Sequence, residues 1–340
     1  MREGGVIHLM TSKERVLQAV KGLPCDRVPV LPLTRAVGVR AKGYRLSDAI
    51  ADPALYVHSQ IDLQKELGYD ALWGLSGIDV AACAAGSEMV IPEDNPPHFV
   101  KHVLSDIGQV HGLAAINPEA SPWFAGLCRI VSMLSGNNRE IPVVAPFRLP
   151  FMTATDIRGA SDLYRDLLRR PEEVLFLMEL LVEPVLRLAR GLREAGADLL
   201  WTPVPSANQD VMSRKSYERF VHPYHKRVLH KLREEGITVI LHLCGNWGDR
   251  LDLVSREEAA VWHLDKEDLA LVRNTYPEVA LMGKVQTVKT LLLSTPEDVL
   301  EEARNNILDV QGRGFLLSGD CGLPPGTPLE NLRALVKAAN

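Results

Sequence analysis

The chain has 340 residues, of which 46% are hydrophobic and 24% charged, and its formal net charge is −5. This length fits one large domain or two ordinary ones, and the hydrophobic content excludes a disordered chain. The slight acidity argues against broad, non-specific nucleic-acid binding, because no excess of positive charge is present to neutralise phosphates. Five cysteines are too few for a disulfide framework, so we expect reduced thiols and a cytoplasmic protein.

No membrane or targeting segment is evident. The first ten residues carry an Arg and a Glu, and they lack the apolar stretch of about 7–15 residues found in signal peptides. The most apolar helical stretch begins at Val174, and Glu179, Glu183 and Arg187 interrupt it before it reaches about 18 uncharged residues. We therefore expect a protein that does not bind membranes.

Eight short apolar runs alternate with segments of helical periodicity. In chain order, the predicted strands are Val28–Leu31, Asp70–Trp73, Ile141–Ala145, Asp198–Trp201, Thr238–His242, Ala260–Leu264, Val279–Met282 and Gly314–Leu317. The clearest predicted helices are Ala54–Leu67, Glu172–Ala195, Tyr217–Glu235, Lys266–Tyr276, Pro296–Leu308 and Pro328–Ala339. This alternation indicates a parallel sheet, and eight units predict an α/β fold of the closed (β/α)8 TIM-barrel type.

The segment from about 87 to 139 does not fit the alternation, since it is rich in proline and its strand-like pieces are polar. We interpret it as an insertion after the second strand, within a single barrel domain spanning residues 1–340. A doubly wound open sheet is the alternative fold. The absence of a Gly-x-Gly-x-x-Gly turn after the first strand disfavours it.

Polar residues follow most of the predicted strands, where the active site of a barrel lies. In chain order they are Arg35, Asp79, Asn208, His242, Cys244, Asn246, Asp265, Lys284, Gln286 and Cys321. The sequence therefore predicts a site assembled from several strand ends, and two of the five cysteines belong to it.

His242, Cys244 and Cys321 give the sharpest chemical signal. Alternate residues of an extended segment point the same way, so His242 and Cys244 can face one point in the barrel mouth, which Cys321 reaches from another strand end. One imidazole and two thiolates suit Zn²⁺, and three protein ligands with one open position are typical of catalytic zinc. The alternative is that these cysteines are small buried hydrophobic residues.

Other candidate chemistries receive less support. Cys25, Cys83 and Cys128 have no partner in the pattern and are interpreted as structural. The sequence contains no Gly-x-Ser-x-Gly elbow, no phosphate-binding P-loop and no His-Glu-x-x-His. Carboxylate pairs among Asp198, Asp265 and Asp320 remain open, although Asp265 also fits a helix cap.

Several segments resemble the uroporphyrinogen decarboxylase-like superfamily. They are Thr11–Leu17, Lys21–Gly22, Asp26–Val30, Phe220–Tyr224, Leu241–Asn246, Gly314–Ser318, Cys321–Pro328 and Glu330–Asn331. The resemblance covers nearly the whole chain and weakens from about 105 to 140. It implies a (β/α)8 barrel.

The superfamily has two chemical branches, and the sequence resembles one more than the other. The decarboxylases carry an arginine-rich Met-Arg-Gln-Ala-Gly-Arg element after the first strand, where Leu33–Gly38 has one arginine, Arg35. They also tend to have His where this chain has Cys321. The cobamide-dependent methyltransferases, which include methylcobamide:coenzyme M methyltransferases and O-demethylases, carry a His-x-Cys…Cys zinc set. That set maps onto His242, Cys244 and Cys321.

The resemblance therefore implies a zinc enzyme that moves a methyl group between a corrinoid and a small molecule: a methyl ether, a methylamine-like donor or a thiol. The corrinoid would be free or carried by a partner protein, and a homo-oligomer is not excluded. The residues expected to orient substrate are Arg35, Asp79, Asn208, Asn246, Asp265 and Gln286. The alternatives are a metal-free decarboxylase of a porphyrinogen or other carboxylated substrate, and a non-catalytic barrel that binds a tetrapyrrole.

Overall fold

The computed structural model describes residues 9–340, so most of the N-terminal segment considered above lies outside the described residues. Seven parallel strands form one sheet in the order β1-β4-β5-β6-β7-β8-β9. They are β1 (Leu72–Trp73), β4 (Val143–Pro146), β5 (Leu199–Pro203), β6 (Thr238–Leu243), β7 (Val261–Leu264), β8 (Ala280–Val285) and β9 (Phe315–Gly319), and β2 (Glu88–Val90) and β3 (His98–Lys101) form a separate antiparallel hairpin.

An eighth extended segment closes the sheet. Val30 forms a parallel bridge with Leu317 of β9. The backbone N–H of Leu31 donates to Leu317 O at 2.8 Å, and on the other side Asp70 N donates to Val30 O at 2.7 Å. The predicted (β/α)8 barrel is therefore confirmed, and the open-sheet alternative is excluded by this closure.

The barrel interior is filled by side chains and leaves no pore. Alternate residues of the strands point inward and pack into one buried apolar cluster. Its members include Leu33, Trp73, Val144, Trp201, Ile240, Val261, Met282 and Leu316. The outward residues pack beneath the helices in a second, larger cluster. Because side chains fill the interior, no ligand site lies inside the barrel that the structure describes, and the ends of the barrel are where its strands can present functional residues.

The helices cover the outside of the barrel. They are α1 (Ser12–Val20), α2 (Arg35–Ala41), α3 (Leu46–Ala51), α4 (Pro53–Leu67), α5 (Val80–Ala85), α6 (Pro122–Asn137), α7 (Pro150–Arg158), α8 (Ala160–Arg169), α9 (Pro171–Glu194), α10 (Arg214–Phe220), α11 (His222–Glu234), α12 (Leu251–Val254), α13 (Leu269–Thr275), α14 (Pro296–Asp309) and α15 (Leu329–Ala338). The single helix predicted over 217–235 is two helices, because Pro223 in the first turn of α11 cannot continue α10. No helix in the described range is long and apolar enough to cross a bilayer.

The segment 87–139 contains the β2–β3 hairpin, two short 3₁₀ turns and α6. Ser121 caps α6, Pro122 begins it, and one face of the helix is buried. α6 thus supplies the helix expected before β4, so the irregular part is shorter than the predicted bounds. The high proline content concealed the helix, because one of those prolines marks its beginning.

Candidate active site

The structure brings His242, Cys244 and Cys321 together at the C-terminal end of the barrel. Their ligand atoms all lie within 4.8 Å of one another. His242 lies near the end of β6 and is buried, whereas the two cysteines are half-buried just beyond β6 and β9. Within residues 9–340, no other group of three His, Cys, Asp or Glu side chains meets this criterion.

The ring of His242 has one nitrogen engaged and one without a partner. Its Nδ1 lies 3.2 Å from the backbone oxygen of His263, so Nδ1–H donates to that carbonyl. This leaves the lone pair on Nε2, which is buried and has no hydrogen-bond partner. A buried acceptor without a donor is costly unless a ligand satisfies it. The bond at Nδ1 is the one that commonly orients a metal-binding histidine.

The two sulfurs lie in hydrogen-bond contact. The pKa of Cys321 is lowered, mainly because the Cys244 thiol donates to its sulfur and also because of the adjacent His242 ring. The pKa of Cys244 is raised by the same bond and by burial. The site therefore brings two sulfurs and an imidazole nitrogen together. This donor set fits Zn²⁺, with an open position for a substrate atom.

The backbone of Cys244 is held by three groups. Asn208 Nδ2 donates to Cys244 O at 2.9 Å, and Trp247 Nε1 donates to the same oxygen at 3.0 Å. Asp265 Oδ2 accepts from Gly245 N at 2.8 Å. Asn208 and Asp265, which were expected to orient substrate, thus lie next to the triad, where both side chains fix the loop that carries Cys244.

Arg35 also reaches the site. Its guanidinium carbon lies 5.1 Å from the centre of the Trp201 ring, and a Cβ on Gly322 would come within 2.6 Å of its Nη2. Burial lowers the pKa of Arg35, and Tyr56 and Cys321 oppose that shift. The side chain lines a cavity of about 280 Å³, and it has no ion pair among the described residues.

Asp79, Asn246 and Gln286 are engaged elsewhere. Asp79 caps α5 through Ala82 N and faces Arg148, whose Nε lies 3.8 Å from Asp79 Oδ2. Asn246 Nδ2 donates to both oxygens of Asp210, at 2.9 and 2.8 Å, on the rim of a separate cavity of about 400 Å³. Gln286 is exposed, and its backbone N–H donates to a glutamate. The structure shows no contact of these three side chains with the triad.

Two residues near the triad were not among the predicted site residues. Trp201 stacks on His242 with ring centres 5.5 Å apart. The ring of His263 lies 4.2 Å from that of His242 and is fully buried. Both belong to strands and not to the segments that follow them. The sequence did carry a signal for both residues, because alternate residues of a strand face the same side. Trp201 and His263 follow the inward-facing Leu199 and Val261 by two positions.

Comparison with known proteins agrees with this geometry. The family model for uroporphyrinogen decarboxylase (URO-D) matches residues 11–340. The chain is 26% identical over 336 residues to the methylcobamide:CoM methyltransferase MtbA of Methanosarcina acetivorans, covering 97% of both chains. It is 28% identical over 341 residues to the uroporphyrinogen decarboxylase of Thermus thermophilus, covering 95% of this chain and 96% of that one.

A solved methyltransferase from Methanosarcina mazei has the same fold. The two structures superpose with a TM-score of 0.89 at 22% identity, over 97% of this chain and 98% of the other. The resemblance inferred from the sequence motifs is therefore confirmed, and the chain belongs to the uroporphyrinogen decarboxylase (URO-D) family.

Proposed function

We propose that this protein is a zinc-dependent methyltransferase that moves a methyl group between a small molecule and a corrinoid, which a partner protein carries. The observation that carries the proposal is the convergence of one ligand atom each from His242, Cys244 and Cys321 within 4.8 Å. The similarity to methylcobamide:CoM methyltransferases, which extends over 97% of both chains, supports the choice of reaction. The small molecule is a thiol acceptor, or a methyl ether or methylamine-like donor, and the protein acts in the cytoplasm.

His242, Cys244 and Cys321 would hold the zinc. When bound there, zinc would favour the thiolate form of a substrate thiol or polarise the heteroatom of a methyl donor. In the thiol direction the acceptor loses its proton and its sulfur bonds to the methyl carbon. The methyl-corrinoid, when docked by its partner protein, would supply that methyl group and keep the electron pair of the broken carbon–cobalt bond. This is an in-line transfer at one carbon, so the residues contribute mainly by positioning the reactants.

Arg35 would supply positive charge beside the sulfur of a bound thiol substrate. Because it has no ion pair among the described residues, its guanidinium is free to bind an anionic group on the substrate. The adjoining cavity of about 280 Å³ is large enough for a small molecule. We therefore assign Arg35 to substrate binding, and Asn208 and Asp265 to holding the loop of Cys244.

A decarboxylase is the second candidate, favoured by the 28% identity to a uroporphyrinogen decarboxylase. A porphyrinogen with many carboxylates requires several cations, and the loop after the first barrel strand provides Arg35 alone. A triad that fits a metal has no role in a metal-free decarboxylation. For these two reasons we favour the methyltransferase over the decarboxylase.

Metal analysis separates the two functions. We expect protein purified without added zinc to contain close to one zinc per chain, and Cys244→Ser to lose most of it. Cys128→Ser, which changes a half-buried cysteine on α6, is the matched control and should keep its zinc. Less than about 0.2 zinc per chain in the wild type would contradict the zinc site.

The reaction itself is tested by cobalamin absorbance. We expect a spectral change on methyl transfer with at least one member of a panel of thiols, methoxyaromatics and methylamines, assayed with methylcobalamin and cob(I)alamin. No change across the panel, together with release of CO₂ from a porphyrinogen, would favour the decarboxylase. If neither methyl transfer nor decarboxylation is detected, the remaining alternative is a non-catalytic barrel that binds a tetrapyrrole.

The role of Arg35 is tested with an active thiol that carries an anionic group. A charge-assisted hydrogen bond contributes about 1.5–3 kcal/mol, so Arg35→Gln should raise KM for that thiol by roughly 10- to 100-fold. The KM for a neutral thiol should change little. Arg40→Gln, at an exposed arginine of the same helix, is the control. Equal effects of Arg35→Gln on charged and neutral thiols would contradict the assignment.

A further inference from the structure

His263 lies near the C-terminal end of β7, directly beside His242 of the triad. It pairs with His242 across β6 and β7 and with Met282 across β7 and β8. Its side chain is fully buried. An imidazole buried among apolar side chains requires partners for both nitrogens, because each unpaired polar atom costs free energy.

Both ring nitrogens of His263 have partners, and these partners fix its tautomer. Trp201 Nε1 lies 3.2 Å from His263 Nδ1, and His263 Nε2 lies 2.9 Å from Gly319 O. An indole nitrogen can only donate, so Nδ1 accepts, and a carbonyl can only accept, so Nε2 carries the proton. Burial lowers the pKa of His263 well below its usual value, which agrees with a neutral ring.

The ring and the backbone of His263 together contact the segments that carry two of the three triad residues. The backbone oxygen of His263 accepts from His242 Nδ1, and the two rings lie 4.2 Å apart. The ring also holds Gly319, the last residue of β9, which precedes Cys321 by two positions. His263 therefore contacts His242 directly. It is linked to Cys321 only indirectly, through its hydrogen bond to Gly319 at the end of β9.

We propose that His263 is a positioning residue that sets the placement of His242 Nε2 relative to Cys321 Sγ, through its bridge from Trp201 on β5 to Gly319 on β9. The inference rests on the proposed zinc site. With both nitrogens engaged, His263 is not itself a zinc ligand. Its function is to keep the donors at their separation before the metal binds.

The bridge is tested by zinc competition with a chromophoric chelator and by absorption spectra of the cobalt-substituted protein. Loss of a hydrogen-bonded group around metal ligands typically weakens binding by about 10- to 100-fold. We expect that loss for His263→Phe, which keeps a ring and removes both bonds, together with a shift of the cobalt bands. His263→Gln retains a donor and an acceptor, so its affinity should fall between those of the wild type and His263→Phe.

A matched pair of tryptophan variants separates this role from general stability. Trp201→Phe removes the donor to His263. Trp73→Phe removes a buried indole N–H that has no partner, from a ring that meets Trp201 edge-on with centroids 6.2 Å apart. We expect Trp201→Phe to lose zinc affinity about as His263→Phe does, and Trp73→Phe to keep it within about twofold.

Three results would overturn the inference, and only the last of them would also overturn the proposed function. Wild-type zinc affinity and cobalt bands in folded His263→Phe would refute the positioning role and leave the zinc site standing. If that variant does not fold, equal zinc affinities of Trp201→Phe and Trp73→Phe would refute it in the same way. A wild-type protein that binds no zinc would overturn the proposed function as well.

Discussion

The loop that follows β6 places Cys244 through a backbone conformation that requires glycine. Gly245 has a φ of +85°, in the left-handed region, and a Cβ there would lie 2.2 Å from Asn208 Nδ2. That amide holds the carbonyl of Cys244, so any side chain at residue 245 disturbs the group that fixes the cysteine. The His-x-Cys-Gly sequence is thus a single structural unit, in which the glycine permits the turn and the amide fixes it.

We predict that Gly245→Ala weakens zinc binding by at least about tenfold, in line with the loss of groups that support metal ligands. The left-handed conformation costs a non-glycine residue roughly 1–2 kcal/mol, and the contact with Asn208 adds to that cost. The measurements are zinc competition and urea unfolding. Gly248→Ala, in the same loop, is the control, because a Cβ there meets nothing within 4 Å. Equal zinc affinity in the two variants would contradict the prediction.

At this scale the sequence predicted the triad and, among its other site residues, Asn208 and Asp265, which support the Cys244 loop, but it missed His263 and Trp201. His242, Cys244 and Cys321 are reactive types placed after strands, where the barrel rule directs attention. His263 and Trp201 lie within strands, where a polar or aromatic residue is usually part of the core, and only their hydrogen bonds distinguish them. Asp79 and Gln286 also follow predicted strands, so they were expected at the site. Their position relative to the triad depends on the path of the loops, which residue spacing alone does not determine.

At the scale of the elements, the barrel is closed at its N-terminal end by a buried ion network. The carboxylate of Asp70, two residues before β1, accepts from Arg15 at 2.7 Å, from Arg27 at 2.6 Å and from Val30 N at 2.8 Å. Arg15 on α1 also binds Asp26 at 2.6 Å. The network joins α1, the segment before Val30 and β1, which are the parts that complete the eight-stranded ring.

These elements follow from the sequence because the apolar runs are short and bounded by turn residues, and all eight predicted runs coincide with barrel segments. α6 was missed for a local reason, since proline is common in the first turn of a helix as well as in loops. The division between α10 and α11 depends on Pro223 in the same way.

The ion network should make stability depend on pH through Asp26, whose pKa the Arg15 guanidinium lowers to about 2. A carboxylate with a lowered pKa stabilises the fold above its unfolded pKa of about 4, and that contribution is lost as the pH falls towards 2. We expect Asp26→Asn to lower the free energy of unfolding at pH 7 by about 1–2 kcal/mol, and the difference from wild type to shrink between pH 4 and pH 2.

Urea unfolding at a series of pH values measures this difference. Asp309→Asn removes an exposed carboxylate that has no ion pair in the described structure, and it should stay within about 0.5 kcal/mol of wild type at pH 7. A difference between wild type and Asp26→Asn that stays constant from pH 7 to pH 2 would show that Asp26 acts through packing instead of charge.

At the scale of the whole molecule, the proposed zinc site is separate from what holds the fold together. The two cysteines of the triad lie beyond the ends of β6 and β9, and neither belongs to the two buried clusters that form the interior and the layer beneath the helices. The eight-stranded ring is closed by backbone hydrogen bonds and by the ion network at the opposite end. Metal is therefore not needed to bury the core, in contrast to small zinc domains that unfold without it.

We predict that removing zinc with a chelator leaves the far-ultraviolet circular dichroism spectrum unchanged and lowers the melting temperature. A ligand at 100 times its Kd stabilises the folded state by about 2.7 kcal/mol, and the unfolding entropy of a 340-residue chain is about 0.7 kcal/mol per kelvin, so the decrease should be roughly 4 °C. Cys244 and Cys321 should become reactive towards a thiol reagent, and added zinc should protect them again. Cys128, on α6, should react at the same rate with and without zinc. Loss of helical signal on chelation would instead mean that the metal holds the strand ends together, and the site would then be structural.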